Sequence, residues 1–212
     1  MRYIEVTPET GPLTLDAGET LSDAYVRVRG PVAGISLVDP SEVTIKNVVV
    51  DCYEVPRKHD AHGVRVTGDV RGLDLDRVTV LGAAHYGFGF QRVQVTGTPI
   101  MLAKCVSVDS DADGFDFKVM SHIHGIAAHL IDCRATSCPV GFDVRGEVVL
   151  YDCSTYRVRT TVRFHGEPEG SPNGLSGSGE VIGFRYRGRK VRGPKKTRGA
   201  GEVVVDGWER VV

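Results

Sequence analysis

Apolar and polar residues alternate in short segments that recur between Gly34 and Tyr156. Each segment opens with a glycine and continues with apolar, variable and apolar residues. Alternation with this period puts every second side chain on the same side of a strand, so the pattern predicts β-strands. The openings are Gly34-Ile35-Ser36-Leu37, Gly63-Val64-Arg65-Val66, Gly87-Phe88-Gly89-Phe90, Gly114-Phe115-Asp116-Phe117, Gly141-Phe142-Asp143-Val144 and, without a glycine, Val162-Arg163-Phe164.

A second and a third strand follow each opening and are separated by a two-residue bend. The inward positions of the second strand form two apolar columns, namely Val43, Leu73, Ile100, Ala128, Val148 and Ile45, Leu75, Leu102, Leu130, Leu150. The third strand gives the columns Val48, Val78, Cys105, Cys133, Cys153 and Val50, Val80, Ser107, Ala135, Thr155. Three strands in each turn predict an all-β fold, a parallel β-helix of about six coils. An antiparallel sandwich is the alternative, but a sandwich does not require the same bend in every unit.

The segments on either side of the repeat are predicted to close the stack. A solenoid has unpaired strand edges at its ends, so we expect residues 1–33 to form an N-terminal cap whose strands are out of register with the repeat. Residues 34–165 are the β-helix. Residues 166–212 are expected to hold a loop, a basic arm and a closing strand, with Val181 and Val203 extending the second-strand columns. At 212 residues and a net charge of −1, the chain predicts one globular domain.

Cysteine usage and the N-terminal sequence suggest where the protein folds. Three of the five cysteines share one inward column, and the total is odd, so we expect reduced core thiols with Cys52 and Cys138 in loops. The sequence shows neither a secretory signal pattern nor an apolar run of membrane-spanning length. We therefore expect a protein that is made in a cytosol, is not Sec-exported and does not contact a membrane.

A basic segment near the C-terminus is a candidate binding arm. It can follow the phosphates of a nucleic acid, form a solvated hairpin tip, or dock on an acidic neighbouring subunit. Nucleic acid is the least favoured partner, because stacking aromatic residues are not interleaved with the charges. The residues expected to bind in this arm are Arg189, Lys190, Arg192, Lys195, Lys196 and Arg198.

Acidic and imidazole residues precede several of the opening glycines. Such positions share one corner of a solenoid, so these residues are expected to be neighbours across coils: His59, Asp60, His62, His85, Tyr86, Asp109, Asp111 and Asp113. A polysaccharide-cleaving site needs one protonated carboxyl for the leaving oxygen and one ionised carboxyl that activates water. The alternative is that corner aspartates only accept backbone hydrogen bonds in tight turns. Outward positions of the first strand add Arg65, Gly89, Asp116, Asp143 and Arg163.

Two segments of the sequence have features of metal sites, and neither pattern is complete. Asp109-x-Asp111-x-Asp113-Gly114 begins like a calcium-binding EF-hand loop, but Met120 stands where the closing Glu is needed. His122, His124 and His129 lack an acidic or cysteine partner at a spacing typical of zinc sites. The sequence therefore predicts no resident cofactor, with calcium only weakly indicated.

The coil pattern over residues 34–165 resembles the pectate-lyase-like right-handed β-helix superfamily. The segment 111–116, Asp-Ala-Asp-Gly-Phe-Asp, is similar to the Asn-Thr-Asp-Gly-(Ile or Phe)-Asp of polygalacturonases, in which the position of Asp113 is catalytic. The Asp-Asp pair, the Gly-His-Gly and the Arg-x-Lys of that family have no equivalent in register here. The resemblance implies a right-handed coil and, for an enzyme, the catalytic candidates Asp113, Asp111, Asp116 and His85. It also implies that a lyase of this kind uses calcium and a basic residue.

Three functional classes are consistent with these features. Short β-helices without an export signal resemble those of bacteriophage tails and capsid-decorating proteins, which usually form threefold bundles. We therefore expect a non-enzymatic virion protein, assembled in the host cytoplasm as a homo-oligomer, with a trimer favoured, and contacting other virion proteins. The alternatives are a polysaccharide hydrolase or lyase, and a glycan-binding β-helix whose contacts include His62, Arg65 and Tyr86.

Overall fold

A computed structural model of the protein describes residues 1–57, 59–122, 125–164, 178–183, 185–187, 195–196, 203–206 and 209–210. The fold is all-β, as predicted, and consists of parallel strands in a right-handed solenoid of about five turns rather than six. In the ranges given, no helix has the length and apolar character needed to cross a bilayer.

The strands follow one another along the chain in a fixed cycle of three faces. Their bounds are β1 (Arg2–Val6), β2 (Thr20–Arg29), β3 (Ile35–Val38), β4 (Val43–Glu54), β5 (Val64–Val70), β6 (Leu73–Leu81), β7 (Phe88–Val95), β8 (Ile100–Ala103), β9 (Val106–Val108), β10 (Asp113–His122), β11 (Ala128–Ile131), β12 (Arg134–Thr136), β13 (Val140–Tyr151), β14 (Ser154–Tyr156), β15 (Thr160–Phe164), β16 (Ser178–Ile182), β17 (Arg185–Arg187), β18 (Lys195–Lys196), β19 (Val203–Asp206) and β20 (Glu209–Arg210).

Each face is a ladder of parallel strands from consecutive coils. Face 1 contains β3, β5, β7, β10, the start of β13, β15 and β18. Face 2 contains the first parts of β2, β4 and β6, then β8, β11, the end of β13, β16 and β19. Face 3 contains β1, the second parts of β2, β4 and β6, then β9, β12, β14, β17 and β20.

The predicted register of the inward columns is confirmed. Leu75 pairs with Leu102 on face 2, and Ser107 pairs with both Val80 and Ala135 on face 3. The columns are buried because their side chains point into the solenoid from all three faces. The expected extension is also confirmed, since Leu150 pairs with Val181 and Gly179 pairs with Val203.

The two-residue bend between faces 2 and 3 has a specific backbone conformation. Its second residue adopts a left-handed φ of 51° to 53° in every predicted unit, and Asp23 does the same with φ 50°. A residue in the left-handed backbone conformation interrupts the regular alternation of side chains along the strand. The chain can therefore turn a corner and keep its apolar columns inside. The residues in the predicted bends are Asn47, Arg77, Lys104, Asp132 and Asp152.

The N-terminal segment departs from the prediction in its register. Leu21 pairs with Ile45 and Ala24 with Val48, so β2 continues the columns of the repeat and the expectation of an out-of-register segment was wrong. This segment lacks the opening glycine that marks the other units. The register depends instead on the apolar columns and on the bend at Asp23. Whether residues 1–33 cap the stack stays a prediction.

The opening glycines are required by space rather than by backbone conformation. A Cβ on Gly63 would lie 2.8 Å from the carbonyl oxygen of Gly87 in the next coil and 2.1 Å from Val80 Cγ1. The same close approach to the next coil occurs at Gly34, Gly87, Gly114 and Gly141. A side chain at any of these positions would push two coils apart, which explains why the glycine recurs at the start of face 1.

Buried aromatic and thiol ladders fill the core. The rings of Phe88 and Phe115 stack at 4.7 Å, close to the strand spacing of about 4.8 Å. Cys105, Cys133 and Cys153 form the predicted ladder, and their thiols donate to backbone carbonyls of the preceding coil at 3.3 to 3.4 Å. Cys52 was expected in a loop but lies buried in β4, where burial raises the pKa of its thiol to about 12.

The predicted basic arm lies mostly outside the described residues. Arg189, Lys190, Arg192 and Arg198 belong to the part of the chain that is not described. Lys195 and Lys196 form β18, which extends face 1 beside β15. Their role in binding stays a prediction.

Candidate functional site

The outward positions of face 1 form one charged column across five coils. Arg65 pairs with Gly89, Gly89 with Asp116, Asp116 with Asp143 and Asp143 with Arg163. This is the order that the sequence predicted. Because consecutive coils are separated by one strand spacing, these five positions are stacked neighbours although they are far apart in the sequence.

The residues before the opening glycines form a second column at the edge of face 1. The backbone N–H of Gly34 donates to the carbonyl of His62 at 3.0 Å, that of Gly63 to Tyr86 at 3.1 Å, and that of Gly87 to Asp113 at 3.0 Å. His62, Tyr86 and Asp113 therefore occupy equivalent positions in three consecutive coils. The corner predicted from the sequence is present at these residues.

Three aspartates meet where the two columns adjoin, and we call Asp113, Asp116 and Asp143 the carboxyl cluster. One oxygen from each lies within 4.8 Å of the others. The side chain of Asp113 is 7% exposed, whereas that of Asp116 is 0% and that of Asp143 is 1% exposed. Asp113 is thus the member closest to solvent, with the other two beneath it.

Two cationic side chains border the carboxyl cluster. Arg163 Nη2 donates to Asp143 and lies 3.4 Å from Oδ2 of Asp113. Lys118 Nζ lies 3.6 Å from Oδ2 of Asp116. Both cations are partly exposed, so the cluster presents a rim of positive charge around a buried acidic centre.

Burial and mutual repulsion keep protons on the carboxyl cluster. Burial, together with the charge of Asp143, raises the pKa of Asp113 to about 7, and Arg163 opposes this shift only in part. Burial also raises the pKa of Asp116 to about 8, against the opposing charge of Lys118. Within the described part of the chain, neither carboxyl oxygen of Asp116 has a hydrogen-bond partner. Asp113 can therefore accept or release a proton near neutral pH.

A second group of polar side chains lies at the same corner, where His62 is two coils from Asp113. We call Asp60, His62 and His85 the imidazole cluster. Oδ1 of Asp60 lies 3.1 Å from Nε2 of His62 and 2.6 Å from Nδ1 of His85. His62 is fully buried, and burial lowers its pKa to about 4, so its ring is neutral at physiological pH.

Gly89 makes room for the buried imidazole. A Cβ at Gly89 would lie 2.1 Å from Nδ1 of His62. The other four residues of the outward column all carry side chains. Gly89 is the exception because the imidazole ring of His62 occupies the space that its side chain would fill. A sequence pattern cannot show this, because Gly89 and His62 lie in different coils.

Tyr86 connects the two clusters. Its ring stacks on His85 at 3.7 Å and meets the edge of His62 at 5.0 Å. Lys118 donates to the Tyr86 hydroxyl and lies 4.3 Å from the ring centroid. Burial raises the pKa of Tyr86, as does the charge of Asp116. The result is one continuous polar strip, from Asp60 to Arg163, along the edge of face 1.

Asp111 lies outside both clusters. It pairs with Arg57, while Asp109 accepts a hydrogen bond from the Tyr53 hydroxyl at 2.9 Å. The three aspartates of the sequence motif therefore diverge, and Asp113 joins Asp116 and Asp143 instead. A shallow cleft opens beside His85, lined by Arg57, Ala84, His85, Asp111 and Ala112.

The remaining predicted residues are distributed as follows. Arg65 lies in the outward column, where its charge acts on the pKa of His62. His85 belongs to the imidazole cluster rather than to the carboxyl cluster. His122 ends β10 on face 1 and His129 lies in β11 on face 2, so these two histidines belong to different faces, while His124 is not among the described residues.

The sequence analysis missed Lys118 as a site residue, whereas Asp60 was expected at the corner without a role of its own. Lys118 follows Asp116 by two positions, which is the spacing that places two side chains on the same side of a strand. This spacing could have predicted that Lys118 lies beside Asp116 on the outward side of the strand. Asp143 and Arg163 were recognised as outward positions, but only their pairing with Asp116 and Asp113 gives them a place in the site.

The chain was compared with protein-family models, curated proteins and solved structures. None of the three comparisons gave a match.

Proposed function

We propose that this protein is an enzyme that cleaves the glycosidic bonds of an acidic polysaccharide by acid–base chemistry at the carboxyl cluster. The observation that carries the proposal is the position of Asp113. It lies at the rim of a buried acidic centre, its pKa is raised to about 7, and cationic Arg163 is beside it. A general acid–base group works best when its pKa is close to the operating pH.

The rim cations favour a uronate-containing substrate. Arg163 and Lys118 are both partly exposed and can hold the carboxylate of a sugar acid above Asp113. A guanidinium group suits this task because it donates two parallel hydrogen bonds to a carboxylate. Neutralising that carboxylate makes the hydrogen on the adjacent ring carbon more acidic, which favours elimination.

The compact cluster does not suit inverting hydrolysis, but it is compatible with retaining hydrolysis, whose carboxyl groups lie about 5–5.5 Å apart, and with β-elimination, which the rim cations favour. Inverting hydrolases hold their two carboxyl groups about 6.5–9.5 Å apart to admit a water molecule, whereas these carboxyl oxygens lie within 4.8 Å. In elimination, ionised Asp113 takes the proton next to the uronate carboxyl, a carbon–carbon double bond forms, and the bond to the leaving oxygen breaks. The proton then passes from Asp113 to that oxygen. The neighbouring carboxyl groups of Asp143 and Asp116 influence how strongly Asp113 holds this proton.

Turnover of acidic glycans tests the proposal. Purified protein is incubated with polygalacturonate, alginate, hyaluronan and heparan sulfate, and both unsaturated uronates and reducing ends are measured. Asp113→Asn is expected to lower the rate by at least about 100-fold, the usual contribution of a positioned acid–base group. Asp74→Asn is the matched control, because Asp74 is exposed on β6 of face 2, and it should leave the rate unchanged.

Other results would contradict the proposal. Reducing ends without unsaturated products would replace elimination with hydrolysis. Retention on a glycan array without any product would favour the glycan-binding alternative. A folded wild-type protein that neither binds nor cleaves any glycan of the panel would exclude both carbohydrate functions.

The expectation of a non-enzymatic bacteriophage virion protein remains a separate proposal. It rests on the resemblance of a short β-helix without an export signal to virion proteins, and the basic arm on which its contacts depend lies mostly outside the described residues. Calcium also remains a prediction. Its predicted ligands Asp109 and Asp111 lie apart from Asp113, although the three carboxyl-cluster oxygens are close enough to surround one cation.

A further inference from the structure

The imidazole cluster has an arrangement that the proposed polysaccharide chemistry does not use. Two imidazole nitrogens from consecutive coils and one carboxylate oxygen all lie within 4.8 Å of one another. The three atoms are Nε2 of His62, Nδ1 of His85 and Oδ1 of Asp60. Imidazole nitrogen and carboxylate oxygen are the ligands that zinc and neighbouring divalent metals take in proteins.

The surroundings hold both rings in place. His62 is fully buried and occupies the space that a side chain at position 89 would fill. His85 is stacked on Tyr86 at 3.7 Å, and the rings of His62 and His85 meet edge to face at 5.4 Å. Both rings are therefore held with one nitrogen beside Oδ1 of Asp60.

Asp60 is the adjustable member of the cluster. Its side chain is 67% exposed, so its carboxylate can move outward by the short distance needed for an ion to enter. Zinc lies about 2.0–2.2 Å from nitrogen and carboxylate oxygen ligands. Oδ1 of Asp60 now lies 2.6 and 3.1 Å from the two nitrogens, so the three ligand atoms are already grouped within the size of one metal site.

We propose that Asp60, His62 and His85 form a binding site for a divalent transition-metal ion of the zinc type. Three protein ligands leave a fourth position, and the cluster is open to solvent at Asp60, whose side chain is 67% exposed. Sites with three protein ligands and an open position are typical of catalytic zinc, whereas structural zinc is enclosed by four. The site is independent of the carboxyl cluster, and the proposal does not rest on the proposed function.

Zinc titration of the whole chain tests the proposal. The protein is treated with a chelator, dialysed, and titrated with zinc chloride in a calorimeter. Wild-type protein is expected to bind one ion per chain. His85→Ala and Asp60→Asn are each expected to weaken binding by at least about tenfold, since loss of even an outer-shell partner costs about 10–100-fold. Both residues are partly exposed, so the variants should fold, and their melting temperatures check this.

His129→Ala is the matched control. His129 lies in β11 on face 2, away from the cluster, and its replacement should leave the zinc affinity unchanged. Asp113→Asn should also bind zinc normally, whether or not the polysaccharide proposal is correct. A second probe is Co²⁺, whose visible spectrum with this site should show nitrogen and oxygen ligands and no thiolate charge-transfer band.

Three outcomes would overturn the proposal. The first is a folded wild-type protein that takes up no zinc. The second is full affinity in His85→Ala and Asp60→Asn, or an equal loss in His129→Ala. The third is a cobalt spectrum dominated by thiolate ligands, which would assign the metal to the buried cysteines.

Discussion

Asp116 is an outward-facing carboxyl group that the fold nevertheless buries completely. Its neighbours in the column are Gly89 and Asp143, and Nζ of Lys118 lies 3.6 Å from its Oδ2. A charge in such a place is costly, because no hydrogen bond in the described structure replaces the water it has lost. The carboxyl group therefore keeps its proton to a pH of about 8.

This burial predicts a pH-dependent stability. The pKa of Asp116 rises from 3.8 to about 8 on folding, so between these values the folded protein holds a proton that the unfolded chain has released. Stability should then fall as the pH rises, by up to about 1.4 kcal/mol for each pH unit. Asp116→Asn removes this contribution and should flatten the slope, as urea unfolding between pH 5 and 8 would measure.

The pKa of Asp113 is also raised, so this residue too makes stability fall as the pH rises. The test therefore compares the slope of unfolding free energy against pH in wild type and variant, and not their absolute stabilities. Equal slopes in the two proteins would show that Asp116 ionises normally in the folded state.

At the scale of the strands, the packing of one coil on the next depends on the opening glycines. An alanine at position 63 would bring its methyl group against the Gly87 carbonyl and against Val80. Gly63→Ala is expected to destabilise the protein by about 1–3 kcal/mol, the usual cost of forcing an extra group into a packed core. Chemical denaturation of the two proteins provides the measurement.

Ala103→Ser is the control for this prediction, because it also adds one heavy atom but on the outward side of β8. It should change the free energy of unfolding by no more than about 0.5 kcal/mol. If both substitutions had the same small effect, the contact between the Gly63 and Gly87 positions would not limit the coil spacing.

At the scale of the whole molecule, the first strand of the stack has an open edge. β1 pairs with β2 on one side, and in the described part of the chain no strand pairs with its other side. Unpaired edges invite association with another chain. The homo-oligomer remains a prediction, and its preference for a trimer rests on the resemblance to bacteriophage β-helix proteins and not on this edge.

Solution mass tests the oligomer. Light scattering after gel filtration should give three times the 23.0 kDa of one chain. If the basic arm holds neighbouring subunits together, the double substitution Lys195→Glu and Lys196→Glu should shift the mass towards the monomer. A wild-type protein that stays monomeric at high concentration would contradict the prediction, and loss of the trimer without loss of folding in the variant would support the role of the arm.

The sequence by itself determined the coil. The inward columns, the two-residue bends and the opening glycines are all visible as periodic positions, because burial selects apolar or small residues at fixed spacings. Leu75 over Leu102 and the cysteine ladder could be predicted in this way. Leu21 and Ala24 continue the same columns, so the register of β2 is also present in the sequence, even without an opening glycine.

Only the tertiary structure decided the site. Asp111 and Asp113 are two residues apart, yet one pairs with Arg57 and the other joins Asp143 from the next coil. Outward residues are not constrained to be apolar, so their types carry no periodic signal. Their partners depend on connectors of unequal length and on what covers them. For this reason the repeat could place Asp60, His62 and His85 at one corner, but neither the burial of Asp116 nor the contacts of Asp60 with both imidazole rings could be read from local sequence.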